Sequence, residues 1–481
     1  MNIHNTIYKI LNMVLFFLLI MTLYFTLTAI PITYLLTNNG IVGIIISLTV
    51  IIITCYELYT EKIPLNYFFN GIIIILFING IVLINSSNTE LLFDAINLIV
   101  GSNDEYFSFN ANNILLRYLF QIVEMFDQKL HLSFFADDLK NFQMIYLIIN
   151  IINCYLIKKI GTKLFNPKVG YISGMILIYY LLLQPIYMIT YSDIVSLLLS
   201  LIALNLFLNE NKRSFLFVGI IIGINYLIRP SAIIFYLVII FMVIINFIFP
   251  KNKKIKFKKV GISVIMFIIT IVIGTNLIYF ISDGKYDRNL KVPITHYLSV
   301  GSHGDPNVRE SNHGVWNEED YNITYTKRDK KEIIKENINQ FLTRIKSRTL
   351  VENIKFYLYK LANVIDTGIM YYHRDNLWIR YHEQNNQIGY FYKELFDVDG
   401  KYKKIMDVIY HFIWIIIMLF LIPTIFIKNS NLLFLKISLL GSLIFLIIFE
   451  SGGTKYMIQY SFLIALISGY GINLFLTKIK K

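Results

Sequence analysis

The sequence predicts an all-α, polytopic membrane protein of about twelve transmembrane helices, with interfacial helices and a mixed soluble lobe on the extracytoplasmic side. Three observations carry this reading. The 481 residues are 56% hydrophobic and only 16% charged, where soluble domains carry roughly 25% charged residues. Apolar runs of about 20 residues, long enough to cross a bilayer, recur along the chain. Basic residues gather in alternate short loops. Disorder is excluded, because it needs low hydrophobicity and high charge.

In chain order the apolar runs fall at 8–36, 41–56, 65–84, 142–157, 169–187, 193–208, 215–228, 232–250, 260–282, 405–427, 431–449 and 456–476. Only Arg229-Pro230-Ser231 parts 215–228 from 232–250, and Pro230 breaks a continuous helix there. The first run has few residues before it and no small-residue cleavage site, so a retained helix is expected rather than a signal peptide. Cys55 and Cys154 lie inside apolar runs and suggest neither a disulfide nor a metal site. No repeat of 20–50 residues is visible. The organisation expected is an N-terminal pair of helices (1–64), a transmembrane module with a large outer loop (65–282, loop 85–141), an extracytoplasmic lobe (283–400) and C-terminal helices (401–481).

Charge sets the orientation. With a cytoplasmic N-terminus the inside loops hold 18 basic residues, including Lys158, Lys168, Lys212 and Lys480, against three acids: Glu57, Glu61 and Glu210. Segment 85–141 reverses the bias, with three basic residues and eight acids, and 283–400 is balanced at 17 of each. The net charge of +13 is therefore a membrane-topology signature rather than a nucleic-acid footprint. Both termini are expected in the cytoplasm and the lobe outside a plasma membrane of bacterial type.

The run from Leu91 to Val100 is too short to span and fits a helix at the membrane interface. Gly101-Ser102-Asn103 ends it, and a second helical stretch runs from Asn113 to Met125. In the lobe, residues 330–361 carry apolar side chains at helical spacing (Ile333, Ile334, Ile338, Phe341, Leu342, Ile345). Charges at membrane depth are costly, so those that remain are candidates for function. They sit at the outer ends of the runs: Asp193, Arg229, Glu450 and Lys455, with Asp94 on the first interfacial helix.

The order of these pieces resembles the GT-C class of glycosyltransferases, which includes the protein O-mannosyltransferases and the aminoarabinose transferases of lipid A. The matching stretches are Phe93-Asp94, Tyr106 through Asn113, Tyr191-Ser192-Asp193, Leu227 through Ser231, Pro293 through Tyr297 and Glu450 through Tyr460. Within that class the chain is most similar to bacterial membrane glycosyltransferases found with exosortase-type sorting systems. The resemblance covers roughly residues 65 to 476 and rests on order and topology. Two features depart from it: two extra helices precede the acidic loop, and Lys455 stands where many relatives have arginine.

The resemblance implies a polyprenyl-phosphate-linked sugar as donor and a glycan, lipid or protein as acceptor. Asp94 is the expected base, since displacement at an anomeric carbon needs a carboxylate opposite the leaving phosphate. Asp104 and Glu105 are the alternative base, and with Tyr106 they are expected to contribute to substrate binding. Asp193 either orients the acceptor or pairs with a cation, unless it serves only the helix N-terminus. Arg229 suits the lipid phosphate through its forked donors, or else snorkels to headgroups. Lys455 is a second phosphate ligand, with Glu450 as its ion-pair partner. His296, His303 and His313 lack the tight spacing of a metal motif, and His296 is expected to bind substrate. The aromatic residues around Trp378 either stack on a sugar or pack at the membrane surface. No cofactor is expected, and a divalent ion stays open. Two other classes are weighed: a polymerase or ligase using lipid-diphosphate oligosaccharides, and a transporter or flippase, which usually binds at the midplane.

Overall fold

A computed structural model describes residues 3–101, 103–130, 138–209, 211–248, 257–309, 313–326, 329–369, 378–449 and 453–480. The chain opens with helices α1 (Ile3–Ala29), α2 (Ile32–Leu35), α3 (Asn38–Thr60) and α4 (Leu65–Ser86). The loop 85–141 holds strand β1 (Thr89–Leu91) and helices α5 (Phe93–Val100), α6 (Asp104–Phe109) and α7 (Ile114–Leu130). There follow α8 (Asp138–Leu164), α9 (Pro167–Ile178), α10 (Ser192–Phe207), α11 (Lys212–Ile228), α12 (Ile233–Ile248) and α13 (Phe257–Ile281). The lobe contains α14 (Ile294–Val300), α15 (Glu318–Tyr325), α16 (Lys330–Ser347), α17 (Leu350–Ile365) and strand β2 (Ile379–Tyr381). Helices α18 (Gln387–Phe396), α19 (Lys403–Leu421), α20 (Ser430–Ile448) and α21 (Ser461–Ile479) complete it.

Among the described residues, eight helices are long and apolar enough to cross a membrane: α1, α3, α4, α8, α13, α19, α20 and α21. The other four expected intervals hold α9 to α12, which have 12 to 17 residues each. Their sequences explain the shortness. After Ile178 the α9 helix widens into π turns over Tyr179–Leu183, then ends at Gln184-Pro185, because Pro185 has no N–H to continue the ladder. Gln143 and Asn150 of α8 take up the carbonyls freed there: Gln143 donates to Met188 O at 2.9 Å and Asn150 to Leu181 O at 3.1 Å. The expected first run, 8–36, is also interrupted. Its helix stops at Ala29, before Pro31.

Small residues bring the helices together, as lipid-embedded packing requires. Gly219 and Gly223 lie four apart on α11 and face Ser263 and Thr270 of α13. A Cβ on Gly161 would meet the Gly170 Cα at 2.9 Å, so α8 and α9 cross almost backbone to backbone. Outward-facing Ile268, Val272 and Ile273 of α13 are more than half exposed, which suits acyl chains as their neighbours.

Polar contacts join the helix ends into two layers. At one end Lys168 pairs with Glu61 at 2.7 Å, Lys480 approaches the same carboxylate at 3.7 Å, and Lys163 donates to Asn205 and Asn209. At the other end Asn39 donates to Lys401 O at 2.8 Å, and Arg309 of the lobe donates to Thr28 and to Phe25 O. Loops assigned to the same side by their charge therefore meet at the same end of the bundle.

The lobe differs from the sequence expectation in one respect. The helical interval 330–361 is two helices, parted at Arg348. Thr349 opens α17 with a capping box, accepting from the Glu352 N–H at 3.2 Å while Glu352 accepts from the Thr349 N–H at 2.7 Å. At the far end of α17 the chain enters the bundle: Gly368 O accepts from Tyr179 at 2.8 Å and Gln184 at 2.9 Å, and Trp414 donates to Ile365 O at 2.9 Å. Strand β2 then pairs antiparallel with β1, Leu91 opposite Ile379, and so ties the lobe to the acidic loop 85–141.

Candidate functional site

The strand pairing decides where Asp94 points. Leu92 N donates to Trp378 O at 3.1 Å, extending the β1–β2 contact by one step. The chain then turns sharply at Phe93, which holds a φ of 52°, an uncommon conformation for a bulky L-residue. Asp94 follows in the first turn of α5, where the helix dipole favours a carboxylate. At the other end of this eight-residue helix, Arg117 of α7 donates to Leu98 O and Ile99 O, both at 3.0 Å, and grips Glu124 at 2.7 and 3.2 Å. Arg117 is buried, and its guanidinium packs on Gly101, whose φ of 67° closes α5.

Two tyrosine hydroxyls hydrogen-bond the Asp94 carboxylate. The Tyr191 hydroxyl donates to its Oδ2 at 3.2 Å. The Tyr106 hydroxyl, which accepts from Asn113 Nδ2 at 2.6 Å, also hydrogen-bonds Asp94. Burial, then the nearby Asp94 charge, pushes both phenols well above their ordinary range, so both stay protonated donors.

A second group lies two residues beyond Tyr191. Asp193 and Arg229 form an ion pair at 2.8 Å, and Arg229 Nη1 donates to Ser192 Oγ at 2.9 Å. Asp193 is 1% exposed and Arg229 8%, so the pair is desolvated and mutually neutralised. Asp193 is thus paired with a cation and also stands in the first turn of α10. Tyr456 links this pair to Lys455: the Arg229 guanidinium lies 5.6 Å from its ring centroid and the Lys455 ammonium 4.9 Å. Lys455 also sits 3.7 Å over the ring of Trp378, and that indole touches Tyr191, ring centroids 5.3 Å apart. Asp94, Tyr191, Trp378, Lys455, Tyr456, Arg229 and Asp193 therefore form one contiguous constellation at one end of the bundle, with 2.8 to 5.6 Å between successive members.

The other expected residues fall elsewhere. Asp104 and Glu105 are exposed in the first turn of α6. His296 is buried in the lobe, its Nδ1 2.9 Å from Thr324 Oγ1, beside Asp320, which binds Arg344 at 2.8 Å and accepts from Ser299 at 2.6 Å. Burial lowers the His296 imidazole to about 4, so at neutral pH it is uncharged. His313 hydrogen-bonds the Asp305 carbonyl at 2.7 Å, and among the described residues no three His, Cys, Asp or Glu side chains gather as a metal site. Glu450, like Tyr371, Tyr372 and His373, lies outside the described residues. Sequence reasoning did not assign roles to Tyr191, Asn113, Arg117 or Tyr456. Tyr191 had one signal, its place beside Ser192-Asp193.

No curated protein matches the chain, and no solved structure matches it. A family model described as conserved hypothetical integral membrane protein matches residues 2–473. The apolar helices agree with that description, and the match runs nearly end to end: the chain belongs to this family of conserved integral membrane proteins.

Proposed function

We propose that this protein is a GT-C-like glycosyltransferase that moves a sugar from a polyprenyl-phosphate donor to an acceptor hydroxyl at the outer face of a membrane. The observation that carries the reading is the junction of a carboxylate and a cation through one aromatic wall: Asp94 and Lys455 are joined by Tyr191 and Trp378. Inverting transfer needs these two charges on opposite sides of an anomeric carbon. The acceptor oxygen bonds to that carbon while the carbon–oxygen bond to phosphate breaks. The electron pair leaves with the phosphate, and the hydroxyl proton goes to Asp94. Tyr106 and Tyr191 hold the carboxylate in place. Arg229 is already paired with Asp193, so the phosphate contact falls first to half-buried Lys455, with Arg229 behind Tyr456 adding positive potential. In this reading the chain crosses the membrane twelve times, with the lysine-rich end and both termini in the cytoplasm and the lobe outside.

The test uses purified protein in detergent and a panel of polyprenyl-monophosphate sugars, with Asp94→Asn beside wild type. Release of polyprenyl phosphate by wild type and its loss in the variant is the expected result. Turnover that survives Asp94→Asn removes the base assignment, and no turnover by folded protein with any donor removes the reading.

A further inference from the structure

The site contains an apparent conflict. Trp378 is the largest flat apolar surface beside Asp94, and such a surface is what a sugar ring stacks on. Yet its indole is only 5% exposed, and one face is covered by the Lys455 ammonium at 3.7 Å. Tyr191 and Phe93 pack against the same ring, at centroid distances of 5.3 and 6.1 Å. Of these neighbours, Lys455 is the one on a flexible four-carbon stem, and it carries the charge a phosphate attracts.

Resting on the function proposed above, we propose that Trp378 is the sugar subsite of the donor and that Lys455 covers it until a lipid-linked phosphate draws the ammonium away. A cation over a ring is held more weakly than one hydrogen-bonded to a phosphate. The donor's phosphate therefore displaces the equilibrium of Lys455 toward itself. That movement bares the indole face next to the bond that must break. Phosphate binding and sugar stacking become one coupled event, and a free sugar, which has no phosphate, finds the face covered. The backbone contact of Trp378 O with Leu92 N fixes the indole two residues from Asp94, so a ring stacked there lies near the base.

The chain has three tryptophans, Trp316, Trp378 and Trp414. Protein labelled with 5-fluorotryptophan gives a fluorine resonance for each, assigned by Trp378→Phe and Trp316→Phe. The probe is undecaprenyl phosphate without a sugar, with phosphatidylglycerol as the control lipid. Retention of each lipid is measured separately by native mass spectrometry. The expected result is a shift of the Trp378 resonance with undecaprenyl phosphate and none with phosphatidylglycerol. Lys455→Gln shifts the same resonance without any lipid and abolishes the response. Retained undecaprenyl phosphate with an unmoved Trp378 resonance overturns the coupling and leaves the glycosyltransferase reading standing. Failure of wild type to retain the lipid phosphate overturns both. Trp378→Phe, which keeps a ring of smaller area, is expected to raise the KM for donor several-fold with a smaller change in kcat. A loss confined to folded yield in that variant overturns the subsite.

Discussion

Arg229 Nη2 lies 2.8 Å from an oxygen of Asp193, and the two side chains are buried together where α10 begins and α11 ends. Neither charge has bulk water to turn to. Removing one partner leaves the other uncompensated, at a cost of roughly 3–5 kcal/mol. We therefore expect Asp193→Asn and Arg229→Met each to lower the thermal unfolding temperature sharply in detergent. The double variant Asp193→Leu/Arg229→Met is expected to unfold closer to wild type. A double variant as unstable as the sum of the singles would contradict pairing.

Asp94 differs, because it is partly exposed, and the proposed function makes it the base. Asp94→Asn is expected to reduce transfer by about 10²–10⁴-fold, the usual contribution of a positioned base, with little change in unfolding temperature. Tyr191→Phe removes one hydrogen bond to the carboxylate and is expected to have a smaller effect of the same sign, read as initial transfer rate.

Gly101 tests whether the position of α5 matters. Its φ is 67°, and an added Cβ would overlap the Arg117 guanidinium. Gly101→Ala is expected to cost about 1–3 kcal/mol in strain and displacement. Because Arg117 holds the C-terminal carbonyls of α5, transfer should fall as well. Normal activity and normal stability in Gly101→Ala would show that α5 is not held from this end.

The lobe carries a pH dependence. Burial holds the His296 imidazole near 4, below its unfolded value of about 6.5. Asp320 is also lowered: burial opposes this, but hydrogen bonds from Arg344, Ser299 and Asn317 prevail. Both groups are depressed, so the unfolded chain binds more protons in acid. The His296 contribution is full above about pH 6.5 and is lost as pH falls through that value toward 4, whereas the Asp320 contribution is lost only below its unfolded value of 3.8. His296 alone accounts for about 2 kcal/mol between pH 7 and pH 5. Thermal unfolding at those two pH values should show the loss, and His296→Asn should flatten it.

Orientation is open to a direct measurement. Single-cysteine variants in a Cys55→Ser/Cys154→Ser background are expected to react with a membrane-impermeant maleimide on intact cells at Leu350→Cys in the lobe. Lys168→Cys and Lys480→Cys, at the end where Glu61 gathers them, should react only after the membrane is opened. The reverse pattern would invert the topology.

The membrane architecture was legible because hydropathy and charge are local, additive properties of residues. A run such as 260–282 must lie in lipid wherever its neighbours are, and the eight longest helices follow the apolar runs closely. Breaks within runs were harder to place. Pro31 and Pro185 each stop a helix inside an interval that hydropathy alone reads as continuous. Asp94, Asp193, Arg229 and Lys455 stood out individually, since each is a charge at the edge of an apolar run. Their assembly was not legible. Lys455 lies 77 positions from Trp378, and Trp378 meets Leu92, two residues before Asp94, because β2 pairs with β1 about 290 residues earlier (residues 379–381 against 89–91). Pattern along the chain determined which segments are long and apolar enough to cross a membrane and which charges stand beside them. Packing between helices remote in sequence decided which of those charges meet, because contact energy depends on where side chains lie in space and not on where they lie in the chain.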